Sequence, residues 1–206
     1  MIIHKLTLGV FAANCYIIET EKKHALIVDA GAEPERILQF LAQNGLTAKI
    51  LAFTHGHFDH IGAASAVKAE TGAITMLPKE DCGLFLDPKS GGDLFPSYAG
   101  YTDGEPDRLL SDGDEIVLDE VCLRVLHAPG HTPGSCLLCG RDFAFTGDVL
   151  FAGSIGRTDF IGSDPQAMRK SLQKIKMIKE NIRILPGHGP ESMLIKEKQS
   201  NPYLGF

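Results

Sequence analysis

The chain has 206 residues, of which 44% are apolar and 22% charged, and its formal net charge is −6. That length and balance belong to an ordinary globular protein with room for a core. The net acidity argues against a nucleic-acid partner, because phosphate binding needs clustered Lys and Arg.

No apolar run approaches the roughly 20 residues of a membrane span. The opening Met1-Ile2-Ile3-His4-Lys5-Leu6 lacks the charged segment and clean apolar stretch of an export signal. The five cysteines are odd in number and scattered, which suits a reducing compartment. A cytoplasmic protein with neither membrane nor nucleic-acid partner is therefore expected. Cys136 and Cys139 form a C-x-x-C inside an apolar run that reads as a strand. Three residues apart on a strand point to opposite faces, which argues against a shared redox or zinc role.

Strand-like runs open the chain at 2–8, 13–19 and 25–29, with a polar turn at Glu21-Lys22-Lys23-His24. A helix follows, with Pro34 in its first turn, an apolar stripe of Ile37, Leu38 and Leu41, and Gly45 at its end. A short buried strand at 49–54 runs straight into His55-Gly56-His57-Phe58-Asp59-His60, and 61–71 reads as an Ala-rich helix closed by Gly72. Residues 84–112 differ: a Gly/Pro-rich stretch with Phe85, Phe95, Tyr98 and Tyr101 reads as a loop exposing aromatics, either a lid or a plain surface excursion. Strands are then expected at 115–118, 122–126, 135–139 and 143–146. A helix capped by Ser163, with Pro165 near its start and Met168, Leu172, Ile175 and Ile178 buried, precedes a last strand at 182–186. The basic stretch 169–179 is the wet face of that helix. Strands, helix and strands, twice over, predict two packed sheets with helices outside, and no linker divides residues 1–206, so one domain is expected.

His55 and His57 lie two apart in an extended segment and so share a side, and Asp59 and His60 follow at a turn into a helix. So much imidazole and carboxylate in six residues is costly to place without a ligand and points to a metal site. Further ligands should come from other strand ends. His131 in Gly130-His-Thr-Pro-Gly134, Asp148 in Thr146-Gly-Asp148 and His188 in Pro186-Gly-His188 meet that test, each beside a glycine that allows close approach. Five histidines and two aspartates exceed one tetrahedral zinc and suit two metals about 3.5–4 Å apart.

These motifs, in this order and spacing over nearly the whole chain, resemble the metallo-beta-lactamase superfamily. The resemblance implies an α+β fold, a four-layer αββα sandwich of two mixed sheets flanked by helices. It implies that His55, His57 and His131 bind one metal, that Asp59, His60 and His188 bind a second, and that Asp148 bridges them. The segment 150–160 and the tail Ser200-Asn-Pro-Tyr-Leu204 are similar to the glyoxalase II-like branch. That branch implies thioester hydrolysis, such as that of S-lactoylglutathione, by a hydroxide held between two divalent ions, zinc before iron or manganese. Asp59 would also pass a proton. Arg157 and Phe160 would contact substrate, although Asp159 stands where that branch has a tyrosine. Asp29 and Thr54 would hydrogen-bond ligand histidines. Gly156-Arg-Thr-Asp-Phe160 also resembles the persulfide dioxygenase branch, which implies oxidation at a single iron, and a lactonase would use the same hydroxide. The partner implied is a small thioester; the sequence is silent on oligomeric state.

Overall fold

The computed structural model describes residues 1–87 and 104–205. In chain order the first half gives β1 (Ile2–Leu8), β2 (Ala13–Glu19), β3 (His24–Val28), α1 (Pro34–Asn44), β4 (Thr47–Ala52), α2 (Phe58–Ile61), α3 (Ala64–Thr71), β5 (Ile74–Pro78), a 3-10 turn (Lys79–Asp81), α4 (Cys82–Leu86) and β6 (Arg108–Leu110). The second half gives β7 (Glu115–Leu118), β8 (Val121–His127), β9 (Cys136–Cys139), β10 (Phe143–Gly147), α5 (Pro165–Lys176), β11 (Arg183–Pro186), β12 (Ser192–Met193) and α6 (Leu194–Ser200).

The strands form two six-stranded sheets, one in the order β1 to β6 and the other in the order β12 to β7. Both are mixed: β3, β4, β5 and β6 run parallel to one another, as do β10 and β11, and the remaining pairs are antiparallel. The αββα sandwich is thus the observed architecture.

Three apolar layers hold it together, and strand alternation explains them. Tyr16 and Ile18 of β2, Leu26 and Val28 of β3, Cys136 and Leu138 of β9, and Phe143 and Phe145 of β10 pack between the sheets. Their neighbours Cys15, Ile17, Ala25 and Ile27 face α1 and α3 instead. Leu137 and Ala144 face α5, with Met168, Leu172 and Ile175. A strand buried on both faces reads as an unbroken apolar run, and each large side chain so buried contributes about 1.5–3 kcal/mol. Cys136 lies in the inner layer and Cys139 against the outer one, on opposite faces as their spacing requires.

Several expectations change. The helix read over 61–71 is two pieces, α2 and α3, because Ala63 donates its amide to the Ala30 carbonyl at 2.9 Å and Gly62 packs on Gly31. The cap of α5 is Asp164, whose side chain accepts from the Gln166 and Ala167 amides; with Pro165 in the first helical position the cap must be the residue before it. Ser163 donates instead to the His131 carbonyl at 2.7 Å. Ile178 lies beyond α5 and is half-buried. Of the stretch read as a loop over 84–112, residues 88–103 fall outside the described residues, and the flanks are α4 and β6. Phe85 is buried, 5.6 Å from the ring of Phe53, rather than exposed.

Asp107 fastens β6 to its neighbours. Its carboxylate accepts from Lys68 at 2.6 Å, the Thr75 amide at 2.7 Å and the Thr75 hydroxyl at 2.8 Å. Partial burial pushes its pKa up, but these donors outweigh burial and hold it at about 2. A depressed pKa stabilises above the ordinary carboxylate value and is lost as pH falls towards 2. After discounting for solvent exposure, urea unfolding should show the native chain losing about 1 kcal/mol more than Asp107→Asn between pH 4 and pH 2. Parallel pH profiles would refute this.

Candidate metal centre

The site lies at one edge of the sandwich, where both sheets present the carboxyl ends of strands running the same way. The segment after β4 carries His55, His57, Asp59 and His60; the segments after β8, β10 and β11 carry His131, Asp148 and His188. The sheets are stitched at this edge. The Cys136 amide donates to the Thr54 carbonyl at 3.0 Å, and the Asn14 amide to the Gly187 carbonyl at 2.7 Å. The Asn14 side chain and the Tyr16 hydroxyl both donate to the Pro186 carbonyl at 2.9 Å.

All seven side chains converge. One potential ligand atom from each of His55, His57 and His131 lies within 4.8 Å of the others, and the same holds for Asp59, His60 and His188, and for His55, His60 and Asp148. Asp148 connects the groups: its Oδ1 is 3.5 Å from His60 Nε2, and its Oδ2 is 3.4 Å from His131 Nε2 and 3.6 Å from His188 Nε2.

The outer hydrogen bonds fix which ring nitrogen faces inward. His131 Nδ1 donates to the Arg157 carbonyl at 2.8 Å and His188 Nδ1 to the Phe11 carbonyl at 3.1 Å. His60 Nδ1 donates to Asp29 Oδ2 at 3.1 Å. The Thr54 hydroxyl gives its proton to Asp29 Oδ2 at 2.7 Å and so accepts from His55 Nδ1 at 3.1 Å. Four Nε2 atoms therefore aim into the centre, and His57 presents Nδ1. His57 Nδ1 sits only 2.8 Å from His131 Nε2, and buried His55 Nε2 and Asp148 Oδ1 have no hydrogen-bond partner among the described residues. Lone pairs crowded together and left unpaired in a buried site fit cations, as does a donor set of imidazole and carboxylate.

Electrostatics divide the imidazoles. Burial and the surrounding imidazoles drive His55 well below its ordinary pKa, and burial with His131 brings His57 down to about 3, so both are neutral donors. Burial opposes charge on His60, but Asp59 and Asp148 prevail and raise it to about 10, so a cation bound beside Asp59 and His188 would displace the proton on His60 Nε2. Burial would raise Asp59, yet His60 and His188 hold it ionised. The carboxylates draw positive charge into the pocket.

A family model for the metallo-beta-lactamase superfamily matches residues 8–188. The chain belongs to that superfamily. Within it, hydroxyacylglutathione hydrolase GloC of Haemophilus influenzae is 38% identical over 201 residues, covering 94% of this chain and 93% of its own. Among solved structures, the B3 metallo-beta-lactamase BLEG-1 superposes with a TM-score of 0.93 at 32% identity, covering 100% of both chains. The di-iron-bound form of TTHA1623 gives 0.86 at 33% identity over 98% of this chain and 100% of its own.

Around the centre of this superfamily member, Phe160 stands 5.7 Å from the His57 ring and 5.8 Å from that of His131. The Arg157 guanidinium lies 4.3 Å over the Phe160 ring and is paired with Asp159 through two bonds of 2.9 Å. The tail braces the site from outside: Asn201 donates to the Ser154 carbonyl at 3.0 Å and to Glu197, which accepts from the Gly153 amide at 2.7 Å, anchoring the segment after Asp148. Neither His24 nor His127 joins the cluster: His24 is bonded to Asp119 at 2.7 Å, and His127, the last residue of β8, to the Pro133 carbonyl at 2.9 Å. Sequence reasoning missed Asn14, Tyr16, the Phe11 carbonyl and Asp81. Each meets a partner on a loop distant in the chain, through a backbone atom on one side or the other, which no local pattern announces.

Proposed function

We propose that this protein is a two-metal thioester hydrolase, with His55, His57 and His131 holding one divalent ion, Asp59, His60 and His188 the other, and Asp148 shared. The observation that carries this reading is the convergence of seven imidazole and carboxylate groups, with the outer nitrogen already satisfied in four of the five histidines. The likeness to a hydroxyacylglutathione hydrolase supports the thioester. Nitrogen and oxygen donors admit zinc, iron or manganese, and availability decides among them; zinc is the first choice.

Divalent cations held there make water nucleophilic at neutral pH and polarise a carbonyl. The chain's own groups do the rest. Asp59 Oδ2, 3.3 Å from His188 Nε2, accepts the proton released by the attacking water. The departing thiolate is a weak base, so no strong general acid is required. Phe160 offers an apolar wall beside His57 and His131. Arg157 stacks on that wall, but Asp159 occupies its fork, which weakens its hold on an anionic thiol carrier.

The test is a panel run on protein whose metals have been counted: S-lactoylglutathione, a neutral acyl thioester, a lactone and a persulfide. Thioester turnover should track bound metal, vanish on chelation and return with zinc. Asp159→Ala should raise kcat/KM for S-lactoylglutathione by about three- to fivefold, the scale of an exposed ion pair, and leave the neutral thioester unchanged. Oxygen uptake with sulfite formation at one iron per chain would replace this reading with a persulfide dioxygenase.

A further inference from the structure

Asp81 ends the 3-10 turn after β5 and is fully buried. Its carboxylate stands between the two loops that bring His57 and His131 together. Oδ2 accepts from the Gly56 amide at 2.9 Å and from the Thr132 hydroxyl at 2.6 Å; Oδ1 accepts from the Gly134 amide at 2.6 Å. Gly56 sits between His55 and His57, and Thr132 follows His131. One carboxylate therefore ties a loop of the first sheet to a loop of the second through the residues that adjoin His57 and His131 in the chain. The fit leaves no slack: a Cβ on Gly134 would lie 2.6 Å from Asp81 Cγ, and one on Gly56 would lie 3.0 Å from the Asp81 carbonyl oxygen. A buried carboxylate is retained only where such donors offset its desolvation.

The other ligands are steadied elsewhere. His60 is held by Asp29, and His188 by the Phe11 carbonyl, on a loop pinned by Asn14 through the carbonyls of Pro186 and Gly189. Neither set of anchors includes Asp81. We propose that Asp81 is a positioning residue that sets the spacing of His57 and His131, so that the site formed by His55, His57 and His131 depends on it while the site formed by Asp59, His60 and His188 does not. This rests on the two-metal reading above.

The test is cobalt titration of chelator-treated protein, followed by metal counting and by the hyperfine-shifted imidazole N–H resonances, which report which histidines are ligated. Native protein should bind two cobalt ions. Asp81→Ala should bind the ion at Asp59, His60 and His188 as before and the ion at His55, His57 and His131 about 10- to 100-fold more weakly. Thr132→Val, which removes one donor at little change in volume, should weaken the same ion severalfold and serves where Asp81→Ala fails to fold. Equal weakening of both ions, or none, would overturn the assignment. Native protein binding fewer than two cobalt ions would instead overturn the two-metal reading, and this inference with it.

Discussion

Asp148→Asn is expected to abolish turnover, by at least about a thousandfold, and to reduce bound metal from two ions per chain to at most one. Asparagine keeps the shape of the side chain and removes its charge. Asp148 is the group that faces both ligand sets, with oxygens 3.4–3.6 Å from the inward nitrogens of His60, His131 and His188. No other side chain of the cluster spans the two in this way. The fold should survive, because the substituted oxygen Oδ1 has no hydrogen-bond partner to lose among the described residues. Metal counting and kcat on the best substrate of the panel, with circular dichroism as a control, check the outcome. Full metal occupancy with native turnover would remove Asp148 from the shared position.

Gly31→Ala should destabilise the protein by about 3 kcal/mol or more and take metal binding with it. A Cβ at Gly31 would lie 1.8 Å from the Asp59 carbonyl oxygen and 2.7 Å from its carbon, both backbone atoms that no rotamer change can move. The contact is reciprocal, since a Cβ at Gly62 would lie 2.6 Å from the Gly31 carbonyl oxygen. The histidine-bearing turn thus rests directly on the chain leaving β3, next to the Asp29 that orients His60. Gly83→Ala is the control: a Cβ there meets nothing within 4 Å among the described residues, and alanine suits α4 better than glycine. Thermal unfolding of both variants, with metal content, decides it; a Gly31→Ala protein of native stability would show that the turn can shift at little cost.

Much of this was legible in the sequence because the strands and the ligands both leave local marks. Strands buried on two faces appear as unbroken apolar runs, as in β2, β3 and β10, and ligands at strand ends appear as histidine or aspartate beside glycine. What stayed hidden depends on distant partners. Nothing near Gly62 shows that it must pack on Gly31, so the helix read as continuous over 61–71 is broken there. Phe85 looked exposed among glycines and prolines because its partner, Phe53, lies on the far side of the histidine cluster in the chain. Asp81 follows β5, a strand with no turn signal to mark it, and its three donors belong to loops 25 to 53 positions away. Ser163 lost the cap of α5 to its neighbour Asp164 by one position, a shift that only the proline's place inside the first turn could have indicated.

The division of strands between the sheets has a consequence for cohesion. Strands β1 to β6 build one sheet and β7 to β12 the other, and the proposed ligands divide as His55, His57, Asp59 and His60 from the first half and His131, Asp148 and His188 from the second. Neither half owns a complete set for either ion. The centre is a clasp between two halves of one polypeptide, and the free energy of binding metal is also free energy holding those halves shut. Stripping the metals should loosen the edge where the halves meet before it loosens either sheet, and a chain cut in the turn at 111–114 should hold its halves together more tightly with metal than without, on top of the apolar layer between the sheets.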